Sequence, residues 1–181
     1  MVQYLETDVL IIGSGGAGMY AAIAAADHGA NVLLLDKSIV GRSGATIMAQ
    51  MTVAAAVGEE EPDDWRFHLK DTIAAGRDLV DEPLAKILCQ RAPEKIWQME
   101  EWGVGWARSG NHLTQVHAPG HDRKRCVYVD FLNTGPATAR TLRNQVRKFD
   151  NIRRVSDLIV TDLVLQDGRA AGAVALHLET G

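Results

Sequence analysis

Asp8-Val9-Leu10-Ile11-Ile12-Gly13-Ser14-Gly15-Gly16-Ala17-Gly18 joins a short apolar run to glycines spaced G-x-G-x-x-G. The run reads as a buried parallel strand, since such strands are apolar on both faces and show no alternation. Ala17 to His28 follows, rich in alanine and free of proline, and reads as a helix. A strand turning sharply into a helix gives each glycine a physical task. Gly13 permits the tight turn, Gly15 leaves room for a pyrophosphate beside the backbone, and Gly18 lets the helix pack closely on the strand. A diphosphate would rest on the free N–H groups and positive dipole end of that helix.

Glycine spacing alone would equally suit a turn that binds nothing. The context argues for a ligand. A second apolar strand, Asn31-Val32-Leu33-Leu34-Leu35, ends in Asp36. That acid lies about 20 residues beyond the glycines, where a carboxylate is placed to meet ribose hydroxyls. Strand, glycine turn, helix, strand and terminal acid occur in order, which predicts an α/β, Rossmann-like dinucleotide site.

Composition sets the bounds. The chain has 181 residues, is 46% apolar and 23% charged, and carries a formal net charge of −4. That profile suits a soluble globular chain with one core. No run approaches the roughly 20 apolar residues of a membrane span. Nothing ahead of Asp8 resembles a secretory signal, and Cys89 and Cys126 do not suggest a disulfide framework, so a cytoplasmic setting is expected. Nine of the 19 basic residues lie between Arg123 and Arg154, opposed there only by Asp130 and Asp150. A solvated helix face is the expected role for this stretch, with a contact to a partner or polyanion as the alternative. No aromatic residues are interleaved with these charges for base stacking, so nucleic acid is not an expected partner.

Beyond Asp36-Lys37, the segment KSIVGRSGATIMAQ is rich in small and hydroxyl residues. Such residues let backbone come close to a flat ligand. Met48 to Val57 reads as a buried helix or extended packing segment, and Gly58, three glutamates and Pro62 punctuate the chain. Asp63 or Asp64 is placed to cap a helix over Trp65 to Ala75, and Asp81-Glu82-Pro83 to open another. Leu84, Ile87, Leu88, Ala92, Ile96, Trp97 and Met99 continue that second helix, with Pro93 as a break or kink and Gly103 as its end. Trp97 and Trp102 read as packing residues. His112, His117 and His121 lack a cysteine or acid that would complete a recognisable ligand spacing, so they read as loop histidines rather than metal ligands. A further helix is expected over Ala137 to about Lys148, with Leu142 and Val146 inward. Leu158 to Leu165 and Ala171 to Leu178 read as a β-hairpin about an Asp167-Gly168 turn.

With the glycine turn, KSIVGRSGATIMAQ, DDWRFHLKDTIAAG and the terminal hairpin together, the sequence resembles the N-terminal part of the flavoprotein subunit of succinate dehydrogenase and fumarate reductase. L-aspartate oxidase and the adenylylsulfate reductase α-subunit belong to the same broad family. The resemblance is strongest at Thr7–Gln50 and Asp63–Gly103. It implies that residues 1–181 are the N-terminal part of a glutathione-reductase-type FAD-binding domain, ending in a β-hairpin and without the capping and C-terminal domains, and that FAD is the cofactor in place of NAD.

The resemblance implies the site residue by residue. Gly13, Ser14, Gly15, Gly16, Ala17 and Gly18 fall on the diphosphate turn. Asp36, with Lys37 beside it, falls on the acid at the second strand's end. Arg42, Ser43 and Gly44 fall on the Arg-Ser motif beside the flavin, followed by Ala45, Thr46 and Gln50. Members in membrane complexes carry a histidine after the Arg-Ser pair that bonds the flavin covalently. Gly44 has no nucleophile, which predicts non-covalent FAD. Ala49-Gln50-Met51-Thr52 replaces the family's Ala-Gln-Gly-Gly, and Trp106 lies where Gly-x-x-Phe-x-Arg carries its aromatic. In this family the cap, its dicarboxylate-binding arginine and its histidines come later than Gly181, so no catalytic residue is expected here.

The implied function is hydride transfer between FAD and a small carboxylated substrate. Electrons would pass to an iron–sulfur subunit, oxygen or a quinone, and the protein would be cytoplasmic or peripheral on an inner membrane face through a partner. The alternative is an FAD- or nucleotide-binding module, or truncated fragment, with no turnover of its own. An NAD-dependent dehydrogenase would show alternating strands and helices after Asp36, where this chain has a small-residue loop.

Overall fold

A computed structural model describes residues 2–181, apart from the side chain of Asp78. In chain order the elements are β1 (Val9–Ile12), α1 (Gly16–Asp27), β2 (Val32–Leu35), α2 (Ala45–Met48), β3 (Val53–Ala54), α3 (Trp65–Gly76), a short 3-10 turn (Arg77–Leu79), α4 (Glu82–Glu101), β4 (Arg108–Ser109), β5 (His112–Leu113), β6 (Gln115–Val116), β7 (Cys126–Val127), α5 (Thr134–Val146), β8 (Ile152–Val155), β9 (Leu158–Gln166) and β10 (Arg169–His177). They form two compact units. One comprises the chain up to Met48 together with Thr138–Gly181, and the other is Ala49–Ala137.

The first unit holds a parallel sheet in the order β1-β2-β8. β2 is its centre, and all four of its residues are buried. β1 is an edge, so the expectation of a fully buried strand fails there. Its residues are only partly covered, and Ile12 is 52% exposed. β8 carries the sequence Ile-Arg-Arg-Val, and its register sets Arg153 and Arg154 opposite Leu33 and Leu34. Met19, Ala22, Ile23 and Ala26 form the buried stripe of α1 at helical spacing. Asn151 ties the start of β8 to the end of α1 by donating to the carbonyls of Ala26 (3.0 Å) and Ala30 (2.8 Å). Leu142 and Val146 of α5 point inward as their spacing predicts, although the helix opens at Thr134 and not Ala137. The β9–β10 hairpin turns on Asp167 (φ 51°) and Gly168 (φ 75°), the left-handed pair that a two-residue hairpin turn requires.

The second unit is built around α3 and α4. Asp64 caps α3 by accepting from the Arg66 N–H (2.8 Å), and Asp81 caps α4 by accepting from the Leu84 N–H (3.0 Å). α4 continues through Pro93 to Glu101, so proline does not break it. Gly103 (φ 86°) ends the helix, with the Val104 N–H reaching back to the Met99 carbonyl at 3.1 Å. Trp97 is 36% exposed and is packed only in part. Trp106 is the buried indole, and its N–H donates to the Ile96 carbonyl at 3.1 Å. Met48 and Met51 are exposed, so Met48 to Val57 is not a continuous buried segment; only Ala55 and Ala56 are buried in it, next to the short strand β3.

The basic stretch is not simply a solvated face. Arg125 is fully buried and binds three carboxylates: Asp63 (3.0 Å), Asp71 (2.7 Å) and Asp122 (2.9 Å). His68 lies in the same region with its ring 5.6 Å from that of His121. Burial, with the positive charges of Arg125 and His121, pushes the His68 pKa down to about 4 from 6.5. A group whose folded pKa is depressed below its unfolded value takes up protons first in the unfolded chain. His68 therefore costs stability progressively as pH falls from about 6.5 to about 4. Urea denaturation of wild type and His68→Gln should show a steeper acid loss in the wild type across that window. Arg125→Met leaves the buried Asp71 without its ion-pair partner and the buried side chain of Asp63 with only Arg123 at 3.7 Å, and should destabilise by about 3–5 kcal/mol in the same assay.

Candidate functional site

The site is assembled at the C-terminal end of β1, where the chain enters α1. Gly13 adopts φ +98°, which side-chain-bearing residues rarely do, and its N–H donates to the Leu35 carbonyl at 2.8 Å. The turn thereby stays pinned to the end of β2. α1 then passes so near that a Cβ on Gly18 would lie 1.9 Å from the Gly13 carbonyl oxygen. Only glycine fits.

α1 opens at Gly15 without a side-chain cap. Its first backward bond runs from the Met19 N–H to the Gly15 carbonyl (3.0 Å), so the amides of Gly16, Ala17 and Gly18 precede the helical ladder. The Gly16 N–H donates to Thr46 Oγ1 at 2.8 Å, which brings α2 against the turn. The amides of Ala17 and Gly18 remain at the positive end of the helix dipole, and Ala17 is exposed. Backbone donors on residues that carry little or no side chain, at the positive end of a helix dipole, suit an anionic diphosphate.

Behind the turn lies Asp36, only 6% exposed. Its Oδ2 accepts from the Ser14 N–H (2.8 Å) and the Ser14 hydroxyl. Its Oδ1 accepts from the Ser38 N–H (2.9 Å), the Ser38 hydroxyl (3.1 Å) and the Ser43 hydroxyl (3.2 Å). Burial raises the carboxyl pKa, but the hydrogen bonds from Ser14 and Ser38 outweigh it and hold the group below its ordinary value. Ser14 Oγ also accepts from the Gly41 N–H at 2.7 Å.

The loop from Lys37 to Gly44 is therefore tied to the glycine turn through Asp36 and Ser14. Lys37, Arg42, Gly44 and Ala45 are exposed along it, and Ser43 and Thr46 are half-buried. Gly44 adopts φ +84°. Gln50 belongs to the second unit, where its carbonyl accepts from the Thr134 N–H at 3.4 Å.

Two braces escape a motif-based reading. Arg143 of α5 donates to the Gly41 carbonyl at 2.9 Å, and Ser156 Oγ accepts from the Val40 N–H at 3.2 Å. Burial and the neighbouring cations Arg42, Arg147 and Arg140 lower the pKa of Arg143. Both braces lie more than a hundred positions from the loop they hold. No local spacing announces them. The Ser14 hydroxyl is likewise outside the glycine pattern, whose intervening positions accept any residue.

A family model described as "FAD binding domain" matches residues 8–181. The chain is 31% identical over 184 residues to the succinate dehydrogenase flavoprotein subunit of Rickettsia bellii, covering 96% of this chain and 30% of that protein. It is 31% identical over 182 residues to the fumarate reductase flavoprotein subunit of a Serratia species, covering 99% of this chain and 30% of the relative. Among solved structures, Mycobacterium smegmatis Sdh1 in complex with UQ1 superposes with a TM-score of 0.92 at 30% identity, over 97% of this chain and 31% of that one. The chain thus spans 30% of the length of the two flavoprotein relatives.

Gly18→Ala tests the close crossing. It should lower the thermal midpoint and abolish retention of a dinucleotide on desalting, whereas Gly29→Ala, at a left-handed position with open space, should lower the midpoint and leave retention intact.

Proposed function

Because the chain belongs to the FAD binding domain family, we propose that it holds FAD non-covalently at the turn between β1 and α1. The diphosphate is received by the amides of Ala17 and Gly18, with Gly13, Ser14, Gly15 and Gly16 shaping the turn. Lys37 and Arg42 add positive charge, and Ser43, Gly44, Ala45 and Thr46 line the approach to the flavin. Asp36 belongs to the same site, and Gln50 is assigned by sequence pattern alone. One observation carries this reading. A helix start without a cap from its own N-cap residue, with Ala17 exposed on it, follows a turn whose geometry requires glycine at Gly13 and Gly18.

We further propose that the chain is the FAD-binding part of an oxidoreductase of the succinate dehydrogenase or fumarate reductase type. When bound, FAD supplies hydride chemistry toward a small carboxylated substrate. The residues gathered here bind and orient the cofactor, and none is assigned a proton-transfer role. The support is the likeness to flavoprotein subunits of both enzymes. By the same likeness, electrons are passed to an iron–sulfur partner subunit, which brings the protein to the inner face of a membrane. Among the described residues no helix is long and apolar enough to cross one.

Because no proton-transfer residue is assigned, a second reading is an FAD-holding module without turnover of its own. Bound flavin that is bleached by succinate, or that regains its colour when fumarate is added to the reduced form, supports the oxidoreductase. Flavin that binds and never responds supports the module.

The binding step itself is tested by incubating the chain with FAD, desalting, and recording the absorbance before and after acid precipitation. The expected outcome is a retained flavin spectrum that moves entirely into the acid supernatant. Flavin left in the pellet would overturn the non-covalent assignment, and a colourless protein would overturn FAD binding.

A further inference from the structure

The acid at the end of the second strand in dinucleotide folds is expected to read the ribose hydroxyls. In this chain the corresponding carboxylate has no room for that task. A carboxylate offers about four lone-pair sites. The two oxygens of Asp36 already receive five donors: the amide and hydroxyl of Ser14, the amide and hydroxyl of Ser38, and the hydroxyl of Ser43. Asp36 is 6% exposed and Ser14 is 1% exposed, so the contact lies beneath the surface that a ligand would touch. Through Ser14 Oγ the network extends to the Gly41 amide at 2.7 Å, and so reaches the crest of the 37–44 loop.

We propose that Asp36 is a positioning residue that ties the glycine turn to the 37–44 loop, and that the adenosine ribose hydroxyls of the bound cofactor are not read by it. This rests on the proposal that the chain binds FAD at the turn. Two parts of the cofactor cradle come from segments that share no secondary structure. Asp36 is bonded to both, through Ser14 on one side and through Ser38 and Ser43 on the other, beside the direct bond from the Gly41 amide to the Ser14 hydroxyl. Its ionised form is an acceptor only, which suits five donors. Asparagine would present an NH2 to one set of donors and leave them without an acceptor.

The test is a double cycle on the full chain, using FAD and FAD analogues lacking the adenosine 2′- or 3′-hydroxyl. Removal of either hydroxyl should change the wild-type Kd by less than about twofold. Asp36→Asn should weaken all three ligands by a common factor of about tenfold or more, the loss expected when charge-assisted hydrogen bonds are broken. Ser14→Ala should reproduce part of that loss on all three and add little in the double variant, because it removes the same link. A wild-type penalty of tenfold or more for a missing hydroxyl that disappears in Asp36→Asn would show direct ribose reading and overturn the proposal.

A second measurement needs no cofactor. In ligand-free protein, the amide resonances of Gly41 and Ser38 should shift in Asp36→Asn, and Gly41 should shift in Ser14→Ala. Unmoved resonances would overturn the proposal whether or not FAD binds. Absence of FAD binding by the wild type, with these shifts present, would overturn the functional reading alone.

Discussion

The close passage of α1 across the carbonyl of Gly13 governs the first unit. A methyl group at Gly18 would lie 1.9 Å from that oxygen, so helix and strand approach to a distance that no other residue permits. The left-handed turn at Gly13 and the exposed start of the helix at Ala17 accompany this crossing. The bond from the Gly13 amide to the Leu35 carbonyl carries the constraint into β2. Asp36, the next residue along, gathers the serines of two segments around it. One steric limit and one saturated carboxylate together fix a surface of backbone donors, and neither needs to touch the ligand with a side chain.

Much of this is legible in the sequence because its signals are local. Glycine spacing, an apolar strand and a terminal acid lie within a few turns of chain, and each reports a backbone requirement. The Asp167-Gly168 hairpin and the inward Leu142 and Val146 are legible for the same reason. What escapes depends on distant partners. β8 reads Ile-Arg-Arg-Val, which lacks the apolar run of a central parallel strand because it is a sheet edge. Ile12 is exposed for the corresponding reason at the other edge. Arg125 looks like one cation in a solvated run, yet it is buried among Asp63, Asp71 and Asp122, two of them more than fifty positions away. The pattern puts Asp36 at the end of β2, while the destination of its hydrogen bonds depends on Ser14 and Ser43, which the pattern leaves free.

The division into two units has a sequence logic. The parallel strands β2 and β8 are neighbours in one sheet, yet the chain between them includes all of Ala49–Ala137. A parallel pair always requires a crossover, and here that crossover is large enough to hold its own buried ion network. The glycine turn, Asp36 and the 37–44 loop are all complete before the chain enters that insertion. Membership of the FAD binding domain family and likeness to succinate dehydrogenase and fumarate reductase flavoproteins cover both units.

If backbone amides at the start of α1 receive the diphosphate of FAD, titrating isotopically labelled protein with FAD will move their resonances. The largest shifts should fall on Gly15, Ala17 and Gly18, with smaller ones along Arg42 to Thr46. Saturable shifts centred elsewhere, with the amides of the turn unmoved, would contradict diphosphate binding there.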